Sequence, residues 1–138
     1  SLQYLANEKH LTLSFVRSSL SHIYADPVRL KQALINIVGN AIKYTPQGSV
    51  SVMVYEENRK VSIRVRDTGI GISAEEQKRL FEKFHRVHSK ETEDIRGTGL
   101  GLWITAQIVS GMNGKISVES IKGKGSDFIL SFPVASKI

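Results

Sequence analysis

Two asparagines and a lysine form the first group of residues with the types and spacing to bind a phosphorylated ligand. Asn36 and Asn40 stand four residues apart, and Lys43 follows one helical turn later. On a helix these side chains share one polar face. An asparagine carbonyl can ligate Mg²⁺, and a lysine one turn away can meet phosphate oxygens. For this group taken alone, a solvated helix face without a ligand is the alternative.

The second group is the segment Asp67-Thr-Gly-Ile-Gly71, which directly follows a predicted strand. Glycines at alternate positions allow the backbone to approach a flat ligand, and the Asp67 carboxylate can accept a hydrogen bond from an exocyclic amine. Adenine offers such an amine, whereas guanine offers a carbonyl at that position. An ordinary Asp-x-Gly turn would carry the same residues.

The third group is Gly97-Thr98-Gly99-Leu100-Gly101, which leads into a helical pattern. Flexible glycines, free amides and the positive end of a helix dipole can together form a phosphate site. The segment lacks the Gly-Lys-Ser/Thr ending of a P-loop and does not follow a strand as a dinucleotide fingerprint does. A glycine-rich helix entry without a ligand is again the alternative.

The elements that must position these groups follow from periodicity and turn signals. Asp26-Pro27 predicts the start of a helix that runs to about Tyr44 and packs Leu30, Leu34, Ile37, Val38 and Ala41 against a sheet. A capping-box pattern at Ser73 predicts a short helix carrying Leu80, Phe81 and Phe84, and a second long helix spans about Leu100 to Met112. Alternating apolar residues predict five strands: Leu11, Leu13 and Phe15; Val50 to Val54; Val61 to Val65; Ile116 and Val118; Phe128 to Phe132. This order predicts one layer of helices on a mostly antiparallel sheet.

Composition limits the classes of function that need to be considered. The chain of 138 residues contains no cysteine, which excludes disulfide scaffolds and thiolate metal sites. The net charge of +6 is spread along the chain, with no run of like charges longer than two residues. We therefore expect no nucleic-acid partner, since a duplex-binding patch concentrates lysine and arginine on one element. No apolar run is long enough to span a membrane.

The order of the motifs carries more information than any one of them. Asn36 and Asn40 with Lys43 come first, then Asp67-x-Gly-x-Gly71, then Phe81-x-x-Phe84-x-Arg86, and finally Gly97-x-Gly-x-Gly101. In this order the chain resembles the ATP-binding catalytic domain of two-component sensor histidine kinases, within the gyrase, Hsp90, histidine kinase and MutL superfamily. The resemblance covers about Leu11 to Pro133. It implies a Bergerat-type α/β fold, a two-layer sandwich in which a mixed, mostly antiparallel sheet is backed by three helices.

The resemblance also implies roles for individual residues. Asn40 is similar to the family's Mg²⁺ ligand, with Asn36 beside it, and Lys43 resembles a phosphate contact. Tyr44 would cover the adenine that Asp67 reads, while Gly69 and Gly71 line the base. The phosphates would lie against the last motif, which comprises Gly97, Thr98, Gly99, Leu100 and Gly101. Arg86 resembles the arginine that reaches the terminal phosphate, and the segment Val87 to Arg96 would form a mobile lid over the nucleotide.

By the same resemblance, residues 1–138 form one catalytic domain that binds Mg²⁺-ATP and donates the γ-phosphate to a histidine on a separate dimerisation domain. Residues 1–9 would end that helical hairpin or the linker after it. The catalytic residues would be Asn36, Lys43 and Arg86. The ATPase branch of the superfamily has a glutamate at the position of Asn36, and an amide cannot activate water as a base, so little hydrolysis is expected.

Partners and location are also implied by the resemblance. They are the missing phosphoacceptor hairpin and a downstream response regulator, with a homodimeric full-length protein, a monomeric fragment and a cytoplasmic location. A serine kinase of the anti-sigma-factor type and a non-catalytic ATP-sensing docking module are the alternatives.

Overall fold

The computed structural model describes residues 2–17, 20–83 and 101–135. Within these ranges the helices are α1 (Leu2–Glu8), α2 (Pro27–Lys43), α3 (Ala74–Gln77) and α4 (Gly101–Gly111). The strands are β1 (Thr12–Arg17), β2 (Ser49–Glu57), β3 (Lys60–Asp67), β4 (Lys115–Ile121) and β5 (Gly125–Pro133). The predicted lid, Val87 to Arg96, lies outside the described residues.

The five strands form one mixed sheet in the order β1-β2-β3-β5-β4. Strand β1 runs parallel to β2, because helix α2 returns the chain to the same end of the sheet, and the other three pairs are antiparallel. The core lies between one face of this sheet and helices α2 and α4, and it includes the fully buried Val50, Val65, Leu130 and Phe132. The predicted α/β fold with a mixed, mostly antiparallel sheet is confirmed.

Helix α2 begins and packs as its sequence predicts. The Asp26 carboxylate accepts hydrogen bonds from the amides of Val28 and Arg29, at 3.0 and 3.3 Å, and Pro27 occupies the first helical position. The residues that α2 buries are Ala33, Ile37, Val38, Ala41 and Ile42, and Leu30 and Leu34 pack against the same core. The helix thereby presents its opposite, polar side at the edge of the core, where the predicted site lies.

The short helix after Ser73 ends earlier than predicted. The Ser73 hydroxyl accepts from the Glu76 amide at 3.2 Å, but α3 stops at Gln77 and the chain continues in successive turns bonded three residues apart. Leu80 and Phe81 therefore lie beyond the helix, and Phe84 is outside the described residues. Phe81 packs edge-on against Phe128, with ring centroids 6.4 Å apart. One helical turn is marginal without tertiary support, so this packing sets the path of the chain.

Helix α1 is joined to the end of α2. Its last turn closes with the Leu11 amide bonded to the Ala6 carbonyl at 2.9 Å, and His10 adopts a left-handed φ of 57°. The ammonium of Lys9 then donates to the carbonyls of Ile42 and Lys43 at 2.7 and 3.0 Å. A cation at the C-terminal end of a helix also interacts favourably with the helix dipole.

No helix among the described residues combines the length and apolar character needed to cross a membrane.

Candidate functional site

The carboxylate of Asp67 lies at the end of β3, where helix α2 and the β4–β5 turn meet. It is 6% exposed, and its Oδ1 accepts hydrogen bonds from the amides of Gly69 and Ser126, at 2.9 and 3.2 Å. Within the described ranges, Oδ2 has no hydrogen-bond partner and no cation forms a salt bridge with Asp67. One oxygen is thus held by the backbone, and the other remains available as an acceptor.

The electrostatics of Asp67 follow from this setting. Burial raises its pKa to about 6, against the lowering effect of the two backbone hydrogen bonds, and the nearby charge of Asp127 raises it further. A buried carboxylate without a cation is costly to the fold, and such groups concentrate at functional sites. Asp67 is therefore the strongest candidate for ligand recognition among the described residues.

The two glycines after Asp67 allow the chain to pass close to its own backbone. A Cβ on Gly69 would lie 2.2 Å from the carbonyl oxygen of Tyr44. Gly71 has a φ of 70°, and a Cβ there would lie 2.1 Å from the carbonyl oxygen of Ile121. Between them, the Ile70 amide donates to the Tyr44 carbonyl at 3.1 Å. The glycines thus fix the segment after Asp67 between helix α2 and the β4–β5 turn.

The polar face of α2 carries the other predicted residues. Asn36 is partly buried and its Nδ2 donates to the Thr105 hydroxyl of helix α4, 3.4 Å away. No hydrogen bond joins the Asn40 side chain to another described residue, and the exposed Lys43 forms no salt bridge with any of them. Carboxamide oxygens suit Mg²⁺ when phosphate and water oxygens complete its coordination. The donor set therefore fits a magnesium-phosphate ligand.

Helix α4 begins at Gly101, the last residue of the glycine motif. The Gly101 carbonyl accepts from the Thr105 hydroxyl at 2.9 Å, and a Cβ on Gly101 would meet no described atom within 4 Å. The remaining predicted residues of this region are outside the part of the chain that the structure describes: Arg86, Gly97, Thr98, Gly99 and Leu100. Helices α2 and α4 pack against each other, so the start of α4 lies beside the polar face of α2.

Comparison with known proteins identifies the family. The family model described as "Histidine kinase-, DNA gyrase B-, and HSP90-like ATPase" matches residues 25–136. The chain belongs to this family. The family predicted from the four ordered motifs is thereby confirmed.

The relatives and solved structures that this chain matches include several histidine kinases. The sensor histidine kinase RcsC of Escherichia coli K12 is 45% identical over 109 residues, which are 79% of this chain and 12% of RcsC. Full-length ShkA, solved in complex with AMPPNP, superposes with a TM-score of 0.86 at 33% identity over 99% of this chain and 28% of that one. The nucleotide-free catalytic domain of the histidine kinase ThkA superposes with a TM-score of 0.81 at 28% identity, over 98% of this chain and 88% of that one. The prediction of a histidine kinase catalytic domain is confirmed at the level of family and fold.

Within this ATPase-family fold, the structure places several of the predicted residues beside one another. Gly69, whose amide bonds Asp67, lies against the Tyr44 carbonyl at the end of α2, whereas Gly71 lies against the Ile121 carbonyl. Asn36 contacts helix α4 through the hydroxyl of Thr105. Sequence reasoning missed Thr105 and Ser126. Thr105 shares a helical face with the apolar Leu102, Ile108 and Val109, so a polar residue on that face was a usable signal. The role of the Ser126 amide, in contrast, depends on its pairing with Asp67 across β3 and β5.

Proposed function

We propose that this domain binds ATP with Mg²⁺ and donates the γ-phosphate to a histidine on a separate phosphoacceptor domain of a two-component sensor kinase. One observation carries the proposal. The Asp67 carboxylate is buried, its Oδ1 is held by two backbone amides, and within the described part of the chain no cation pairs with it and no group bonds its Oδ2. A ligand that donates a hydrogen bond to Oδ2 would relieve the cost of burying this charge.

Base selection follows from the chemistry of Asp67. An ionised carboxylate only accepts hydrogen bonds, so it fits the exocyclic amine of adenine and opposes the carbonyl of guanine. Tyr44 lies next to this position, because its carbonyl accepts from the Ile70 amide at 3.1 Å and would lie 2.2 Å from a Cβ on Gly69. We assign Tyr44, Gly69 and Gly71 to the adenine subsite.

Phosphate binding is assigned to the polar face of α2 and the start of α4. Asn40, with Asn36 beside it, would hold Mg²⁺, and Lys43 would meet phosphate oxygens. Bound Mg²⁺ would neutralise charge on the phosphates. Gly97 to Gly101 and Arg86 complete the assignment by their place in the family's motifs, with the backbone of the glycine motif around the phosphates and Arg86 at the terminal one.

The identity of the residue at position 36 favours transfer over hydrolysis. Asn36 lies four residues before Asn40, and its amide cannot take a proton from water at neutral pH. The chain's own residues would therefore orient ATP and hold its phosphates, while the nucleophile comes from an imidazole outside the domain. Transfer, rather than water attack, is the reaction that this residue set supports.

The remaining parts of the proposal concern the whole protein. The chain spans about an eighth of the length of RcsC, which is named a sensor histidine kinase. We propose that the phosphoacceptor histidine lies on a dimerising helical hairpin and that a response regulator takes the phosphoryl group next. We further propose that the full-length protein is a homodimer, that this domain alone is a monomer and that it works in the cytoplasm.

The proposal is tested by titrating the chain with ATP and with GTP in a calorimeter, each with and without Mg²⁺, and by assaying hydrolysis on the same sample. Adenine-selective binding that Mg²⁺ strengthens, with negligible hydrolysis, is the expected result. Rapid hydrolysis would place the domain with the ATPases instead. Absence of binding would leave a docking module as the better account. Adding a phosphoacceptor hairpin from a related kinase should then yield a phosphohistidine that is stable to base and labile to acid.

A further inference from the structure

The hydroxyl of Thr105 joins the two helices of the site. Thr105 lies in α4 and is completely buried, with 0% of its surface exposed. The hydroxyl donates to the carbonyl of Gly101 at 2.9 Å and accepts from Nδ2 of Asn36 at 3.4 Å. It therefore contacts both the polar face of α2 and the residue that ends the glycine motif.

The proton of this hydroxyl determines which end of the Asn36 amide can face it. A hydroxyl has one proton to donate, and the Gly101 carbonyl, which only accepts, takes it. With its proton given to Gly101, the Thr105 oxygen accepts from α2. A flipped Asn36 would leave this hydroxyl one proton for two acceptors, the Asn36 carbonyl oxygen and the Gly101 carbonyl, so one of the two hydrogen bonds would be lost. The hydroxyl thus selects one of the two nearly isosteric orientations of the carboxamide.

We propose that Thr105 is a positioning residue that keeps the Asn36 amide nitrogen toward α4 and its carbonyl oxygen available to the magnesium-phosphate group. The inference rests on the proposed function, because it gives Asn36 its use as an oxygen donor. It adds a requirement that the motifs do not contain, namely a hydroxyl within helix α4. Outer contacts of this kind typically change metal affinity by about 10-fold to 100-fold.

The test compares two near-isosteric replacements of Thr105. Thr105→Val keeps the shape of the side chain and removes the hydroxyl, whereas Thr105→Ser keeps the hydroxyl. The affinity of each chain for ATP is measured with and without Mg²⁺. We expect Thr105→Val to lose about 10-fold or more of the affinity gained from Mg²⁺ while its Mg²⁺-free affinity is unchanged, and Thr105→Ser to behave as the wild type. Equal losses with and without Mg²⁺ would mean that Thr105 only supports the fold, and no loss in either condition would also overturn the inference.

A second measurement does not depend on nucleotide. In NMR spectra of the nucleotide-free chain, the side-chain amide protons of Asn36 should shift in Thr105→Val and stay in place in Thr105→Ser. Unchanged Asn36 resonances in the valine variant would contradict the inference. If the wild type binds no ATP, the proposed function fails while this spectrum still reports on the contact itself.

A double-mutant cycle separates positioning from helix packing. In an Asn36→Ala background, Thr105→Val should have no further effect on the contribution of Mg²⁺, because the amide to be oriented is gone. An undiminished effect would assign the loss to packing between α2 and α4. Should the valine variant fail to fold, Thr105→Cys replaces it, since a thiol of similar size is a weak donor and a weak acceptor.

Discussion

Two aspartates on neighbouring strands of this sheet have opposite surroundings. Asp67 on β3 pairs with Ser126, and the next residue of β5, Asp127, pairs with Arg66. Because successive side chains point to opposite faces, one carboxylate faces the site and the other faces outward. Of the residues that the structure describes, only backbone amides bond Asp67, whereas Asp127 contacts the guanidinium groups of Arg64 and Arg66 at 2.6 and 2.9 Å.

The pKa values of the two carboxyl groups move in opposite directions. Burial raises the pKa of both, but at Asp127 the hydrogen bonds and charges of Arg66 and Arg64 outweigh it and lower its pKa below the usual value. At Asp67 burial prevails and the pKa rises to about 6. A carboxylate that is neutralised by its own protein contributes to the fold, whereas one left without a cation is available to a ligand. Substitutions at the two aspartates and at their neighbours test this distinction.

The largest effect is expected for Asp67→Asn. The amide can still accept from Gly69 and Ser126, but its nitrogen then replaces Oδ2 and presents a donor to the amine of adenine. ATP affinity should fall by about 100-fold or more, since a buried hydrogen bond to a charged group is replaced by two opposed donors. The midpoint of thermal unfolding at pH 7 should stay the same or rise, because a buried charge is removed. Calorimetric titration and a melting curve measure both, and unchanged affinity would contradict the adenine assignment.

The pH dependence of stability should differ in sign between the two sites. The folded-state pKa of Asp67 is raised from 3.8 to about 6, so its contribution to stability is fully present below pH 3.8 and is lost as pH rises to about 6. Over that interval the wild type should lose about 3 kcal/mol of unfolding free energy relative to Asp67→Asn. For Asp127, whose pKa is lowered, the contribution is present at neutral pH and is lost as pH falls below its usual value. Urea unfolding of the wild type, Asp67→Asn and Asp127→Asn from pH 3 to 7 measures these differences. Parallel stability profiles for the three proteins would contradict the predicted difference between the two carboxyl groups.

A moderate effect is expected for Asp127→Asn. The substitution leaves two arginines facing a neutral amide, so the free energy of unfolding at pH 7 should fall by about 1–3 kcal/mol. ATP affinity should stay within about twofold of the wild type, because the side chain faces away from the site. Urea unfolding and calorimetry measure the two quantities on one sample. A large loss of affinity with unchanged stability would reverse the roles assigned to the two aspartates.

The smallest effect is expected for Arg66→Lys. Arg66 is more than half exposed and binds Asp127 through both Nε and Nη2, an arrangement that a lysine cannot reproduce. Because solvent screens this pair and Arg64 remains, the free energy of unfolding should fall by less than about 1 kcal/mol. Arg64→Lys is the matched comparison, since Arg64 is less exposed and bonds Tyr55 as well as Asp127. We expect Arg64→Lys to lower the free energy of unfolding more than Arg66→Lys does, in the same assay. This result would show that the more buried ion pair contributes more to stability.

The sequence could predict the elements whose signals are local. The Asp26-Pro27 start of α2, its apolar face and the alternating strands are visible in residue types alone, and the structure contains them. The position of the α3 end was not predictable, because Phe81 packs on Phe128, a residue far along the chain. Phe15 alternates as a buried residue would but is 63% exposed, whereas Leu13 on the same face of β1 packs against the core, so the core does not extend as far as Phe15.

The parts of the candidate site that lie within one sequence motif could be predicted. The parts that depend on contacts between strands or helices distant in sequence could not. Asp67 and its glycines were found from spacing, but the lack of a described cation beside Asp67 is visible only in the structure. The close approach of Gly69 to Tyr44 also requires the fold. Likewise, the proposed role of Thr105 depends on its hydrogen bond with Asn36, sixty-nine residues earlier in the chain.

The joint between α1 and α2 matters for anyone who recombines this domain with another protein. The family match begins at residue 25, so a domain boundary just before α2 would be the obvious place to cut the chain. A cut there would remove the Lys9 ammonium from the end of the helix that carries Asn40 and Lys43, together with the fully buried Ala6 and the edge strand β1. A chimera should therefore be joined upstream of Leu2, so that the grafted module retains its own first helix.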